Sequence, residues 1–241
     1  MRFVKAVAVV SVACFAHAAT AGVNFFVNNS VGFNAAVVSF SLVGTETFEE
    51  STLAPNMILT FNDPLSPGVA NGSFPAGTGT AAGVKVQSNT LGSNPTALSP
   101  RGTNGLTTAS VGFVGTPTDQ ISVQDVGDSF DMIFMPSNGQ PVRAVRMLPL
   151  YFDNAASSST SNPGTVVIKV YSPTQVLLGT QTMNSVDYSG SSVLGVVATG
   201  TDVIGRINVN DTNNLSFFAG ADDIGVYTSL TPVELMSFSA E

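Results

Sequence analysis

Two carboxylates stand side by side at Asp222-Asp223, inside a stretch, Gly220 to Tyr227, that otherwise reads as a strand. Asp is depleted in strands, and adjacent like charges repel unless something positive lies between or beside them. A second acidic stretch, Thr45-Glu46-Thr47-Phe48-Glu49-Glu50-Ser51, lies near the start of the chain. Placed on neighbouring strands, Glu49, Asp222 and Asp223 would offer oxygen ligands to one hard cation, and calcium in a structural role is the expected ion. Strict alternation opposes this, because Asp222 shares a face with Ile224 and Val226 whereas Asp223 shares one with Tyr227. Both side chains reach one ion only if a bulge or a backbone carbonyl helps. The plainer reading has these carboxylates facing solvent or accepting turn hydrogen bonds.

Asp119, Asp125, Asp128 and Asp131 form another acidic group, from which Asp128 and Asp131 can be read as the acid and nucleophile of a glycan hydrolase. Solvated loop and strand-edge positions account for them better, so no catalytic residue is expected. Sugar recognition calls for aromatic platforms, and the chain has no Trp and four Tyr. Tyr188, with Asp187 beside it in the loop-like Asp187-Tyr188-Ser189-Gly190, is the expected ligand contact.

The first 21 residues remove much other chemistry from consideration. Arg2 and Lys5 precede an apolar run from Ala6 to Phe15, and small residues follow at Ala16-His17-Ala18 and Ala19-Thr20-Ala21, the order of a secretory signal. The run is too short to span a bilayer. Cys14 is the one cysteine and His17 the one histidine, so a processed chain has neither. That excludes Ser-His-Asp and Cys nucleophiles, ordinary zinc or copper sites and a disulfide framework. Acylation of Cys14 is disfavoured by Ser11, where lipoprotein signals carry an aliphatic residue. Losing Arg2 and Lys5 with the leader takes the formal net charge from −8 to −10. A chain this acidic has no basic stripe to displace counterions from nucleic acid.

The elements that must position these residues are short β-like runs punctuated by Gly, Pro, Asn and Asp. After a strand at Val23–Val27, Asn29 or Ser30 caps the one expected helix, through Phe33 to Val38. Strands are expected at Met57–Phe61, Val84–Gln87, Ile121–Gln124, Phe130–Met135, Val142–Phe152, Val166–Tyr171, Val176–Gln181, Val193–Ala198, Val203–Val209, Leu215–Phe218 and Ile224–Tyr227. Ser137-Asn138-Gly139 and Ser172-Pro173-Thr174 read as hairpin turns. Two packed antiparallel sheets bury such runs without helices. The expected organisation is a signal at 1–21, a strand/helix segment at 22–44, an all-β sandwich at 45–229 and a tail at 230–241. No apolar run beyond the signal is long enough to span a membrane.

The order of several landmarks resembles that of a known group. Phe33-Asn34-Ala35-Ala36, Thr47-Phe48-Glu49, Ser99-Pro100-Arg101-Gly102-Thr103, Val170-Tyr171, Leu178-Gly179-Thr180, Ile204-Gly205-Arg206-Ile207 and Asp222-Asp223-Ile224 resemble the jelly-roll ectodomains of exported bacterial proteins of PEP-CTERM type. The Phe-Glu opening and Asp-Asp-Ile ending are similar to those of MAM domains and other galactose-binding-like sandwiches. This likeness implies a two-sheet antiparallel jelly roll with its first and last strands side by side, and a calcium ion near that pairing. It also implies that Glu49 matches the opening carboxylate, and Asp222 with Asp223 the closing pair. The chain departs from the pattern in lacking the MAM cysteines and the Pro-Glu-Pro motif.

Residues and resemblance together point to an exported, non-enzymatic binding module of the cell surface, periplasm or extracellular matrix. An extracellular glycan or exopolysaccharide is the expected partner. A structural or adhesive matrix protein and a carboxylate-dependent glycan hydrolase are the alternatives.

Overall fold

The computed structural model describes residues 22–49, 58–61, 65–71, 74–78, 82–89, 106–110, 119–123, 129–153, 164–186, 191–211 and 217–230. Among the described residues there are thirteen strands and one helix, in the order β1 (Val23–Val27), α1 (Ser30–Ala36), β2 (Phe40–Glu46), β3 (Ile58–Phe61), β4 (Val84–Asn89), β5 (Leu106–Ser110), β6 (Asp119–Val123), β7 (Ser129–Phe134), β8 (Val142–Asp153), β9 (Gly164–Tyr171), β10 (Leu177–Val186), β11 (Leu194–Ala198), β12 (Arg206–Asp211) and β13 (Phe217–Ser229). They form an all-β sandwich of two antiparallel sheets. One sheet runs β1-β11-β8-β13-β6-β5-β3, with β2 also on β13, and the other runs β10-β9-β12-β7-β4.

Within these sheets, β2-β13-β8-β11 faces β7-β12-β9-β10, and successive strands from β7 onward change sheet at every connection except the β9–β10 hairpin. That strand order is a jelly roll, and it sets the first strand of the set, β2, against the last, β13. Segment 22–44 is built into the same body, since β1 pairs with β11 and most of β2 with β13.

Period-two alternation explains the core. Ile207 and Val209 on β12, Phe130 and Met132 on β7, and Val166, Ile168 and Val170 on β9 point between the sheets, where they meet Val145, Met147, Val196, Ile224 and Val226. A second, smaller core lies under α1 on the outer face of the larger sheet, around Phe33, Val37, Ala144 and Val197. Asn29 caps that helix by accepting the Gly32 N–H at 2.9 Å. Phe33 reaches the sheet only because residue 195 is glycine: a Cβ there would lie 2.2 Å from the Phe33 ring. The rings of Phe26 and Tyr227 meet Phe33 edge-on, with centroids 6.1 and 5.5 Å away.

Four elements differ from the sequence reading. Of the expected run at Leu215–Phe218, Leu215 and Ser216 lie outside the described residues; Phe217 and Phe218 belong with Ile224–Tyr227 to one long strand, β13, which continues through the Asp pair. The strand expected from Val203 starts at Arg206, because Ile204 and Gly205 donate instead to the Val142 and Tyr171 carbonyls from a connecting loop. Strands β2 and β5 had no expected counterpart, both being rich in Ser, Thr or Gly.

Candidate functional site

The Asp pair occupies a change of partner along β13. One edge of β13 pairs throughout with β8, while the other pairs with β6 at Gly220 and Ala221 and with β2 from Ile224 onward. Between these neighbours one extra residue enters β13: Asp222 faces Leu148 and Gly225 faces Arg146, a β-bulge. Asp223 takes φ +48°, a left-handed conformation that Asp tolerates better than most residues. The buried Asp222 carboxylate accepts the Asp223 N–H through Oδ1 at 2.7 Å. An equivalent clamp stands on the adjoining strand, where Glu46 is level with Ile224. There the buried Glu46 accepts the N–H of Phe48, itself at φ +57°, through Oε1 at 2.9 Å. In both acidic stretches a buried carboxylate thus satisfies the backbone of a residue in an unusual conformation, a role that requires an acceptor and no ion.

The expected ligands are only partly brought together. Burial pushes the Asp223 carboxyl above its ordinary value, the Arg146 guanidinium pulls it back, and Glu49 pushes it up again. Glu49 and Asp223 are therefore neighbours, with Arg146 as a positive group beside them. Asp222 Oδ1 is engaged in its clamp. Among the described residues no three His, Cys, Asp or Glu side chains gather where a metal ion could be held. Calcium takes about six to eight oxygen ligands, and of the expected set Asp222 Oδ1 already accepts a backbone N–H. Asp187 and Tyr188, the expected ligand contacts, lie outside the described residues, as does Asp128.

The outer face of the smaller sheet carries a buried polar row that sequence patterning did not reveal. Arg206 and Asn208 on β12 lie beside Tyr171 and Lys169 on β9 and beside Ile133 and Asp131 on β7. Arg206 Nη1 meets Asp131 Oδ1 at 2.7 Å, and both side chains are fully buried. Asn208 Nδ2 donates to the same carboxylate oxygen at 2.9 Å. The guanidinium stacks on the Tyr171 ring, 3.9 Å from its centroid. Burial pushes the Tyr171 hydroxyl above its ordinary pKa, Arg206 pulls it down, and Asp131 pushes it up. Asp131, read from sequence as half of a carboxylate pair, is thus held in an ion pair within the sheet.

Arg206 also reaches out of this row, donating from Nε to Gln175 Oε1 at 2.9 Å. Gln175, at φ +66°, belongs to the β9–β10 turn. That turn, the β7–β8 hairpin and the β11–β12 loop converge at one end of the sandwich around an open hollow of about 580 Å³. Its polar lining is Gln140, Ser172, Thr174, Gln175, Thr201 and Asp202. Pro136, Pro141, Pro173, Val203 and Ile204 supply apolar wall. Gly205 allows the loops to close on one another, since a Cβ there would lie 2.4 Å from the Pro173 nitrogen. Ser172 Oγ accepts the Val176 N–H at 3.1 Å and shares a hydrogen bond of 2.9 Å with Thr174 Oγ1, which fixes the turn. Behind Asp202, Arg143 donates to the Gly200 and Asp202 carbonyls at 2.6 and 2.7 Å. The signal in the sequence was the pair of hairpin turns; their convergence depends on the jelly-roll topology.

No protein-family model matches the chain, and no curated protein matches it. Among solved structures it is similar to the carbohydrate-binding module TmCBM61, determined in complex with β-1,4-galactotriose, with 10% identity, 76% of this chain and 95% of that chain covered, and a TM-score of 0.29. Among the described residues no helix is long and apolar enough to cross a membrane.

Proposed function

We propose that this chain is an exported, non-enzymatic binding module that takes a neutral glycan of the cell surface or extracellular matrix in the loop-end hollow. The observation that carries this reading is the hollow's lining: hydroxyl and amide side chains from three loops, interspersed with proline and aliphatic wall, with Asp202 as the one charged residue among the described residues that line it. Sugar hydroxyls both donate and accept, and Ser, Thr and Gln match them without the desolvation cost of a buried charge. The apolar wall suits the C–H faces of a pyranose. Among the described residues the lining offers no Lys or Arg for a phosphate or other anion to pair with. The volume falls within the range of about 300–1,000 Å³ usual for small-ligand sites. A hydrolytic reading of Asp128 and Asp131 is weakened by the ion pair that holds Asp131 in the sheet.

Calorimetric titration of the secreted protein with neutral oligosaccharides tests the proposal. Gln140→Ala and Thr201→Val should each weaken binding by about 2- to 10-fold, the value of one net hydrogen bond, and leave the melting temperature unchanged. Equal affinity for both variants and the wild type would reject this site. Failure of every neutral oligosaccharide to bind would reject the function.

A further inference from the structure

Asp202 is the one charged residue among the described residues lining the hollow, and its side chain is turned to the start of the sandwich. Its Oδ2 accepts the Gly22 backbone N–H at 2.5 Å. The Gly22 carbonyl in turn accepts from the Thr199 N–H at 3.0 Å and from Thr199 Oγ1 at 3.1 Å. One residue later β1 begins, with Val23 level with Ala198. The loop that receives Gly22 is fixed from the opposite side. Arg143 binds its Gly200 and Asp202 carbonyls, and the Asp202 N–H closes a turn onto the Thr199 carbonyl at 3.0 Å. Gly22 therefore has both backbone groups held in a preformed socket whose donor-facing member is a carboxylate.

A backbone amide does not require a carboxylate acceptor; an ammonium group gains much more from one. Gly22 directly follows Ala19-Thr20-Ala21, one of two places at which the leader can be cut. We infer that the socket is built for a processed amino terminus: a leader peptidase cuts between Ala21 and Gly22, and the new Gly22 ammonium pairs with Asp202. In that hydrolysis the Ala21–Gly22 peptide bond breaks and water supplies hydroxyl to the Ala21 carbonyl carbon and hydrogen to the Gly22 nitrogen. At neutral pH the released amine takes up a proton and the new carboxyl of the leader loses one. Cutting at Ala18 would leave three residues ahead of Gly22 and only a neutral amide in the socket. This inference rests on the export reading and is independent of the glycan proposal.

The ammonium would face two charged groups, the Asp202 carboxylate that binds it and the Arg143 guanidinium behind the loop. A partnered ammonium has its pKa raised above the ordinary α-amino range of about 7.7–8.0. Its stabilisation is then fully present below that range and is lost as pH rises through the higher folded value.

The test uses the full chain, expressed in a secreting bacterial host and purified from outside the cytoplasm. Intact mass should place its first residue at Gly22; a first residue at Ala19 would overturn the inference. Thermal melts from pH 6 to pH 10 should then compare wild type, wild type acetylated on its α-amine, and Asp202→Asn. At pH 6 the free wild type should melt about 2–4 °C above the acetylated protein, the equivalent of a partly exposed ion pair, and the gap should close by pH 10. In Asp202→Asn, acetylation should make no difference at any pH. Identical melts for free and acetylated wild type would refute the ion pair even if cleavage occurs at Gly22. Glycan binding by the same preparations is scored separately, so the proposed function can fail while this inference stands.

Discussion

Arg206 and Asp131 form a fully buried ion pair at 2.7 Å, and its worth can be worked out from what each side chain leaves behind. In Asp131→Leu the guanidinium keeps Gln175 on Nε and the Tyr171 ring but loses the carboxylate it is paired with. In Arg206→Met the Asp131 carboxylate keeps only the Asn208 amide at 2.9 Å among these partners, and the ring stack is lost. Removing one partner of a buried pair costs about 3–5 kcal/mol, because the other remains as a desolvated charge. For a domain of this size that is a fall of roughly 6–20 °C in melting temperature. The double variant removes both charges of the pair, so it should come within about 2 kcal/mol of wild type. The coupling energy of the cycle should therefore exceed about 4 kcal/mol. Denaturant unfolding of the four proteins, checked by calorimetry, measures it. If the single losses simply add in the double variant, the pair is not the unit described here. If a single variant fails to fold, recovery of a cooperative transition in the double variant still decides the point.

Asp223 should behave as a bulge residue. With its carboxyl raised above the ordinary 3.8 mainly by burial, ionisation is penalised in the folded state, so stability falls as pH rises from the unfolded value through the folded one. Asp223→Asn, which keeps the side chain's tolerance of φ +48°, should therefore raise the melting temperature at pH 7 and lose that advantage at pH 3. Asp223→Val should cost about 1–2 kcal/mol in urea unfolding at either pH, from the left-handed backbone alone. With Arg146 as the positive neighbour of Asp223, calcium and chelator should leave the melting temperature equal; a rise that saturates with calcium would contradict the fit argued from the described carboxylates. Gly195→Ala should drive a methyl into the Phe33 ring and lower stability by about 1–3 kcal/mol, read as early loss of near-ultraviolet signal. Gly205→Ala should separate the β9–β10 turn from the β11–β12 loop and reduce oligosaccharide affinity more than stability, measured by calorimetry beside a thermal melt.

Much of the sandwich was legible because its strands are buried on a period of two and end at strong breakers. The turns at Ser137-Asn138-Gly139 and Ser172-Pro173-Thr174 stand where they were read. The pairing of the Glu46 region with the Asp-Asp stretch came from the order of landmarks, and β2 does lie on β13. Three things were hidden for physical reasons. A bulge shifts parity by one residue, and single-strand alternation cannot show where it falls, so the shared face assigned to Asp222 and Ile224 did not hold. Arg206, Asn208 and Asp131 are common surface residue types, and only the register of β12 against β7 makes them a buried row. The hollow draws Gln140, Gln175 and Thr201 from loops far apart in sequence, and only the strand order brings them together.

The central claim, a neutral glycan held between the three loops, is tested most directly by amide chemical-shift mapping of the isotopically labelled secreted protein during titration with neutral oligosaccharides. The account predicts saturable shifts confined to residues 136–141, 172–176 and 199–205, with the opposite end of the sandwich unchanged. Shifts centred on the acidic bulge around Asp222 and Asp223, or none up to millimolar sugar, would contradict it.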